Sequence, residues 1–111
     1  MNESKLMSYI TSDFASKSDM KVGAEEWQAI IQEMLPKFKK AGAIRQTVSQ
    51  IWNKEGVARV GILFEYRDEK AFVACQTLLD KYHAPQVKTF VNKVVGSRGI
   101  VLHEFTSEDF N

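Results

Sequence analysis

Ala58-Arg59-Val60-Gly61-Ile62-Leu63-Phe64-Glu65-Tyr66-Arg67 runs without a spacer into Asp68-Glu69-Lys70-Ala71-Phe72. Val60, Ile62, Phe64 and Tyr66 alternate with Arg59, Gly61, Leu63 and Glu65, the period of a strand with one strongly apolar face. Asp68 offers a carboxylate N-cap and Glu69 an acidic first turn, so a helix starts where the strand stops. Every other element can be placed by asking which face of this strand it covers.

Upstream, residues 44–53 predict a strand hairpinned to this one. Ile44, Val48 and Trp52 share a face with Gln46 and Gln50, while Arg45, Thr47, Ser49 and Ile51 take the other. Asn53-Lys54-Glu55-Gly56 places its glycine last, which fits a type I turn closed by a left-handed glycine. That turn sets Trp52 beside Ala58, Val48 beside Ile62 and Ile44 beside Tyr66, so turn chemistry and apolar pattern agree on one register. Residues 5–13 predict a first strand, Leu6, Ser8 and Ile10 on one face and Met7, Tyr9 and Thr11 on the other. Phe14 to Gly23, rich in Ser, Lys and Asp, reads as a loop. From Ala24 the period lengthens: Ala24, Trp27, Ile31, Met34, Phe38 and Ala41 form one helical stripe. Glu25 and Glu26 at its start and Lys37, Lys39 and Lys40 at its end match the helix dipole, Gly42 stops it, and Pro36 predicts a kink or an early end.

Downstream, Phe72, Cys75, Leu79 and Tyr82 give the second helix its stripe, and Ala84-Pro85 ends it. A short further helix is expected to present Val87, Phe90, Val91 and Val94 before Gly96, and residues 98–105 to form the last strand. The order β-α-β-β-α-β predicts an α+β, ferredoxin-like domain spanning residues 1–111, both helices on one face of an antiparallel sheet. The helix-free face keeps Ile51 and Leu63, too apolar to leave in water, and pairing it with its copy in a homodimer is the simplest remedy.

Composition narrows the function classes. The 111 residues are 44% hydrophobic and 26% charged with a net charge of +1, so no global field favours nucleic acid or an anionic membrane. One cysteine, Cys75, excludes an intrachain disulfide and a cysteine-based zinc site. No apolar run approaches the ~20 residues of a membrane span, and the first residues do not form a signal peptide, so a cytoplasmic protein is expected. No Gly-rich phosphate loop or metal-ligand spacing is present, and no cofactor is expected.

The element order, the junction Phe64-Glu65-Tyr66-Arg67-Asp68-Glu69-Lys70-Ala71-Phe72 and the terminal His103-Glu104-Phe105 together resemble the dimeric α+β barrel superfamily, from Lys5 to Phe105. That group includes antibiotic-biosynthesis monooxygenases, haem-degrading monooxygenases and stress-responsive barrel proteins. The resemblance implies a dimer whose sheets face each other and a cleft between sheet and helices; some relatives act without metal or flavin, others bind haem, and activity does not follow from fold.

Several side chains are candidates for chemistry. His83 sits where haem-handling relatives carry an iron ligand; a half-exposed histidine at a helix end is the plainer reading. The asparagine, tryptophan and histidine combined by haem-degrading relatives are not found as a set, since the first strand has no asparagine. His103 is either a base facing a cavity or a packed interface residue. Gln46, Gln50, Trp52, Tyr66 and Tyr82, with Trp27 and Phe64, are the candidate lining of an aromatic cavity for a small apolar or aromatic ligand. Two glutamines on an apolar face require partners, so they lie at an exposed edge, in filled core, or at a cleft. Arg59 and Glu65 either hydrogen-bond across the dimer or face solvent. Three functions stay open: a small-molecule binder or cofactor-independent oxygenase, a structural or regulatory dimer with no activity, and a haem binder using His83.

Overall fold

The structure, a computed structural model, describes residues 5–82 and 91–110. Strands β1 (Leu6–Phe14), β2 (Ala43–Ile51), β3 (Ala58–Tyr66) and β4 (Lys93–Ile100) form an antiparallel sheet in the order β2-β3-β1-β4, with helices α1 (Lys17–Ala41) and α2 (Glu69–Tyr82) between them in the chain. This is the ferredoxin-like β-α-β-β-α-β plan that the sequence predicts. The junction after β3 is as expected: the Asp68 carboxylate accepts the Ala71 N–H at 2.8 Å and caps α2.

The core lies between helices and sheet. Val60, Ile62, Phe64 and Tyr66 of β3 face the α1 stripe of Met20, Ile30, Ile31, Met34 and Phe38 and the α2 residues Ala71, Cys75 and Leu79. Phe64 stacks on Tyr66 at 5.3 Å between ring centres, meets Phe38 and Trp27 edge-on at 5.8 and 6.3 Å, and Tyr66 meets Phe72 edge-on at 5.5 Å. Such aromatic contacts add roughly 0.5–1.5 kcal/mol each beyond burial. The space around the Tyr66 ring is therefore filled.

The hairpin register is also as expected, Val48 opposite Ile62, with Gly56 left-handed at φ 74°. Its far end differs. A bulge at Ile44 makes Ala43, not Ile44, the partner of Tyr66, because α1 leaves through Gly42 directly into the strand and one residue is taken up in turning. Trp52 falls beyond the strand, in the turn region, 87% exposed.

Three further expectations are corrected. Residues 17–23 are helix rather than loop: Ser16 caps Asp19 N–H at 3.1 Å, and Met20 extends the buried stripe by a turn. Pro36 does not end α1, which runs on to Ala41; it lies on the exposed face, where the carbonyl it leaves free can meet water. The last strand is residues 93–100, not 98–105, and Val94 is strand rather than helix. Leu6 opposite Ile100 is the last pair with β1, followed by a single bond from Val101 N–H to the Lys5 carbonyl, so Leu102 to Phe105 have no strand partner among the described residues. The expected short helix at residues 86–90 lies outside the described residues.

Candidate functional site

A cavity of about 280 Å³ opens between sheet and helices at the end away from the Phe64–Tyr66 stack. Its floor is Ile10 and Ser12 of β1, Val48 of β2, Val60 and Ile62 of β3 and Val94 of β4. Gly23, Ala24 and Trp27 of α1 and Leu79 of α2 form the roof. The space exists because the facing groups are small: Ser12 on the sheet, Gly23 and Ala24 on the helix. At Gly23 the fit is close, since an added Cβ would lie 2.6 Å from the Phe14 ring. The polar lining is confined to Ser12, Glu26, Gln76, Asp80 and Arg98.

Among these, the Gln76 amide donates to the Asp80 carboxylate at 3.4 Å, and Arg98 holds its guanidinium over the Phe72 ring at 5.4 Å from the centre. A mostly apolar hollow with a few polar groups is the usual form of a small-molecule site. Among the described residues, no group of three or more His, Cys, Asp or Glu side chains is placed to hold a metal ion.

The described residues predicted to line one cavity are divided among separate places. Of the expected aromatic set, Trp27 lines this one. Tyr66 is 1% exposed and closed in by Phe64 and Phe72, and that burial raises its phenol well above the usual tyrosine value. Trp52 and the exposed Gln50 border a separate depression at the hairpin end. Gln46 lies in a shallow groove between α1 and β2 with Leu35, Phe38 and Ile44; its buried Nε2 has no hydrogen-bond partner among the described residues. His83 and the Tyr82 side chain lie outside the described residues. His103 is exposed beyond the end of β4, its ring edge-on to Phe105 at 5.4 Å, and is not on a strand facing a cavity.

On the helix-free face, Arg59 and Glu65 find partners within the chain. Arg59 binds Asp13 bidentately, Nη2 to Oδ2 at 3.0 Å, and Arg45 approaches Glu65 at 3.4 Å. Each is a directly opposed cross-strand pair. The Arg59 guanidinium holds the Asp13 carboxyl below its ordinary value. Sequence reasoning missed Arg98, Gln76 and Asp80. Only their position identifies them, and the small residues opposite were the available signal.

Among the described residues, no helix is long and apolar enough to cross a membrane. The fold is that of the dimeric α+β barrel superfamily, as the resemblance implied. A dimeric ferredoxin-like protein from an uncultured marine organism is 28% identical, with a TM-score of 0.83 over 93% of this chain and all of that one. A second, also from an uncultured marine organism, is 26% identical with a TM-score of 0.82, over 94% of this chain and 93% of that one. A Bacillus cereus protein provisionally named an antibiotic biosynthesis monooxygenase shares the fold at 14% identity, with a TM-score of 0.61 over 94% of this chain and 99% of that one. No functionally curated protein matches the chain. A family pattern described as a domain of unknown function, DUF6974, matches residues 3–101, and the chain belongs to that family.

Proposed function

We propose that this protein is a homodimer in which each subunit binds one small, mostly apolar or aromatic molecule between its sheet and helices. The observation that carries the reading is the 280 Å³ hollow, apolar over the Ile10–Val60–Ile62 floor and bordered by a few polar groups, among them Glu26, Gln76, Asp80 and Arg98. At roughly 30 Å³ per water molecule it has room for about nine waters, the size of a one- or two-ring ligand. Support for the homodimer is the apolar helix-free face, together with the dimeric state named for both solved proteins of 26–28% identity.

The test is a two-dimensional NMR titration with neutral 2-naphthamide. Shifts are expected at Gly23, Ala24, Ile62 and Val94, with affinity at least tenfold weaker in Ala24→Phe, whose ring fills the hollow. Absence of shifts at these positions, or equal affinity in Ala24→Phe, overturns the reading.

The finer form is cofactor-independent oxygenation of that ligand. A substrate CH2 between aromatic rings would supply all four electrons that reduce O2, one oxygen atom becoming its carbonyl and the other leaving as water. This requires a base to form the electron-rich carbanion, and Glu26 and Asp80 are the carboxylates bordering the hollow. Oxygen uptake above the uncatalysed rate, lost in Asp80→Asn or Glu26→Gln, is the expected outcome; no uptake restricts the protein to binding.

A further inference from the structure

Arg98 distinguishes this hollow from a plain hydrophobic void. On β4 the residues facing the helices are Val94, Gly96, Arg98 and Ile100, and β1 sets Ile10 opposite Gly96 and Ser8 opposite Arg98. The Arg98 side chain does not run outward. A Cβ placed on Gly96 would lie 3.0 Å from Arg98 Nη1, so the guanidinium folds back over Gly96, toward Val94 and Ile10 of the hollow's floor. From above, the Phe72 ring of α2 holds it at 5.4 Å. Among the described residues it forms no ion pair: Asp68 is bonded to Arg67 and the Ala71 N–H, and of the two carboxylates that border the hollow, Glu26 and Asp80, the latter accepts from Gln76. Its guanidinium edge is thus available at the border of an apolar space.

We propose that the ligand is a small aromatic carboxylate, its ring system in the hollow over Ile10 and Ile62 and its carboxylate on the Arg98 guanidinium. This inference rests on the binding reading above and names the ligand's class. A planar fork matches a carboxylate through two parallel N–H···O bonds, which ammonium does not do. The Phe72 face, and the room left over Gly96, favour this placement of the fork before binding.

The test compares 2-naphthoate with 2-naphthamide by calorimetry and NMR on the full chain. The wild type is expected to prefer the carboxylate by about tenfold, the usual size of one charge-assisted pair. Arg98→Gln should abolish the preference, and Arg98→Lys should retain part of it. Equal affinity for the two probes, or a preference that survives Arg98→Gln, overturns the carboxylate assignment and leaves the hollow as a neutral site. Binding of neither probe overturns both readings.

Discussion

At Gly42 two constraints meet in one residue. Its φ of 109° is left-handed, its N–H donates to the Phe38 and Lys39 carbonyls at 3.1 and 3.2 Å, and a Cβ there would lie 2.6 Å from the Cβ of buried Ala71. Gly56, at φ 74°, has nothing within 4 Å of its would-be Cβ. Gly56→Ala should therefore cost only the conformational penalty of about 1–2 kcal/mol, whereas Gly42→Ala adds overpacking of about 1–3 kcal/mol. Urea denaturation of the two variants checks this, and equal losses would refute the steric part. Cys75 gives a pH prediction. Burial pushes its thiol from an ordinary 9.0 up to about 11, and burial raises Tyr66 in the same direction. Between pH 9 and 11 the unfolded chain gives up the thiol proton while the folded chain keeps it, so stability falls as pH rises. The contribution is intact below pH 9 and lost as pH climbs through 11. Cys75→Ala lowers stability at neutral pH by lost packing but should flatten the alkaline decline; an unchanged slope would remove Cys75 as its source.

At the level of elements, Pro36 gives the clearest prediction. It sits on the exposed face of α1 in a helix that continues to Ala41, opposite the buried stripe. Pro36→Ala restores an intrahelical N–H bond and relieves the ring's clash with the preceding turn. Thermal melts should show a gain of about 1–3 kcal/mol, the cost of proline in a helix interior. A loss would mean that the proline shapes the path of α1 into Gly42. The same helix shows what sequence makes legible. The β3–α2 junction and the hairpin register were readable because Asp68, Gly56 and the alternation of β3 are local signals that agree with one another. The start of α1 was hidden because Ser16-Lys17-Ser18-Asp19 is polar, and only the burial of Met20 shows that it belongs to the helix. The bounds of β4 depend on where β1 provides partners, which no pattern within residues 93–105 encodes. The hollow was misplaced for a related reason. Large aromatics attract attention as pocket walls, but Phe64 and Tyr66 fill their own space, and volume is left where Ser12, Gly23 and Ala24 are small.

Among the described residues, α1 and α2 both lie on one face of the sheet, and neither covers the other face. The helix-free face carries Met7, Tyr9, Leu63, Ile51 and Val95, with Tyr9 and Val95 40% and 46% exposed. Gly61 keeps its centre flat, since a Cβ there would lie 2.6 Å from the Tyr9 hydroxyl and displace the ring. Four of the charges at its ends pair within the chain, Asp13 with Arg59 and Glu65 with Arg45, which lowers the cost of covering them with a second copy. Four strands of eight or nine residues span about 30 by 19 Å. Two such faces offer about 1,100 Å² even when taken as flat, above the ~1,000 Å² expected of a specific interface. Leu63→Arg places an unpaired cation at the middle of this face and should convert the dimer to a monomer in sedimentation equilibrium, with the far-ultraviolet dichroism unchanged. Because the hollow opens on the opposite face, the monomer should keep its affinity for 2-naphthamide. A wild-type chain already monomeric at micromolar concentration, or a Leu63→Arg variant still dimeric, would place the interface elsewhere; a monomer that folds but no longer binds would mean that pairing, and not the single chain, holds the hollow open.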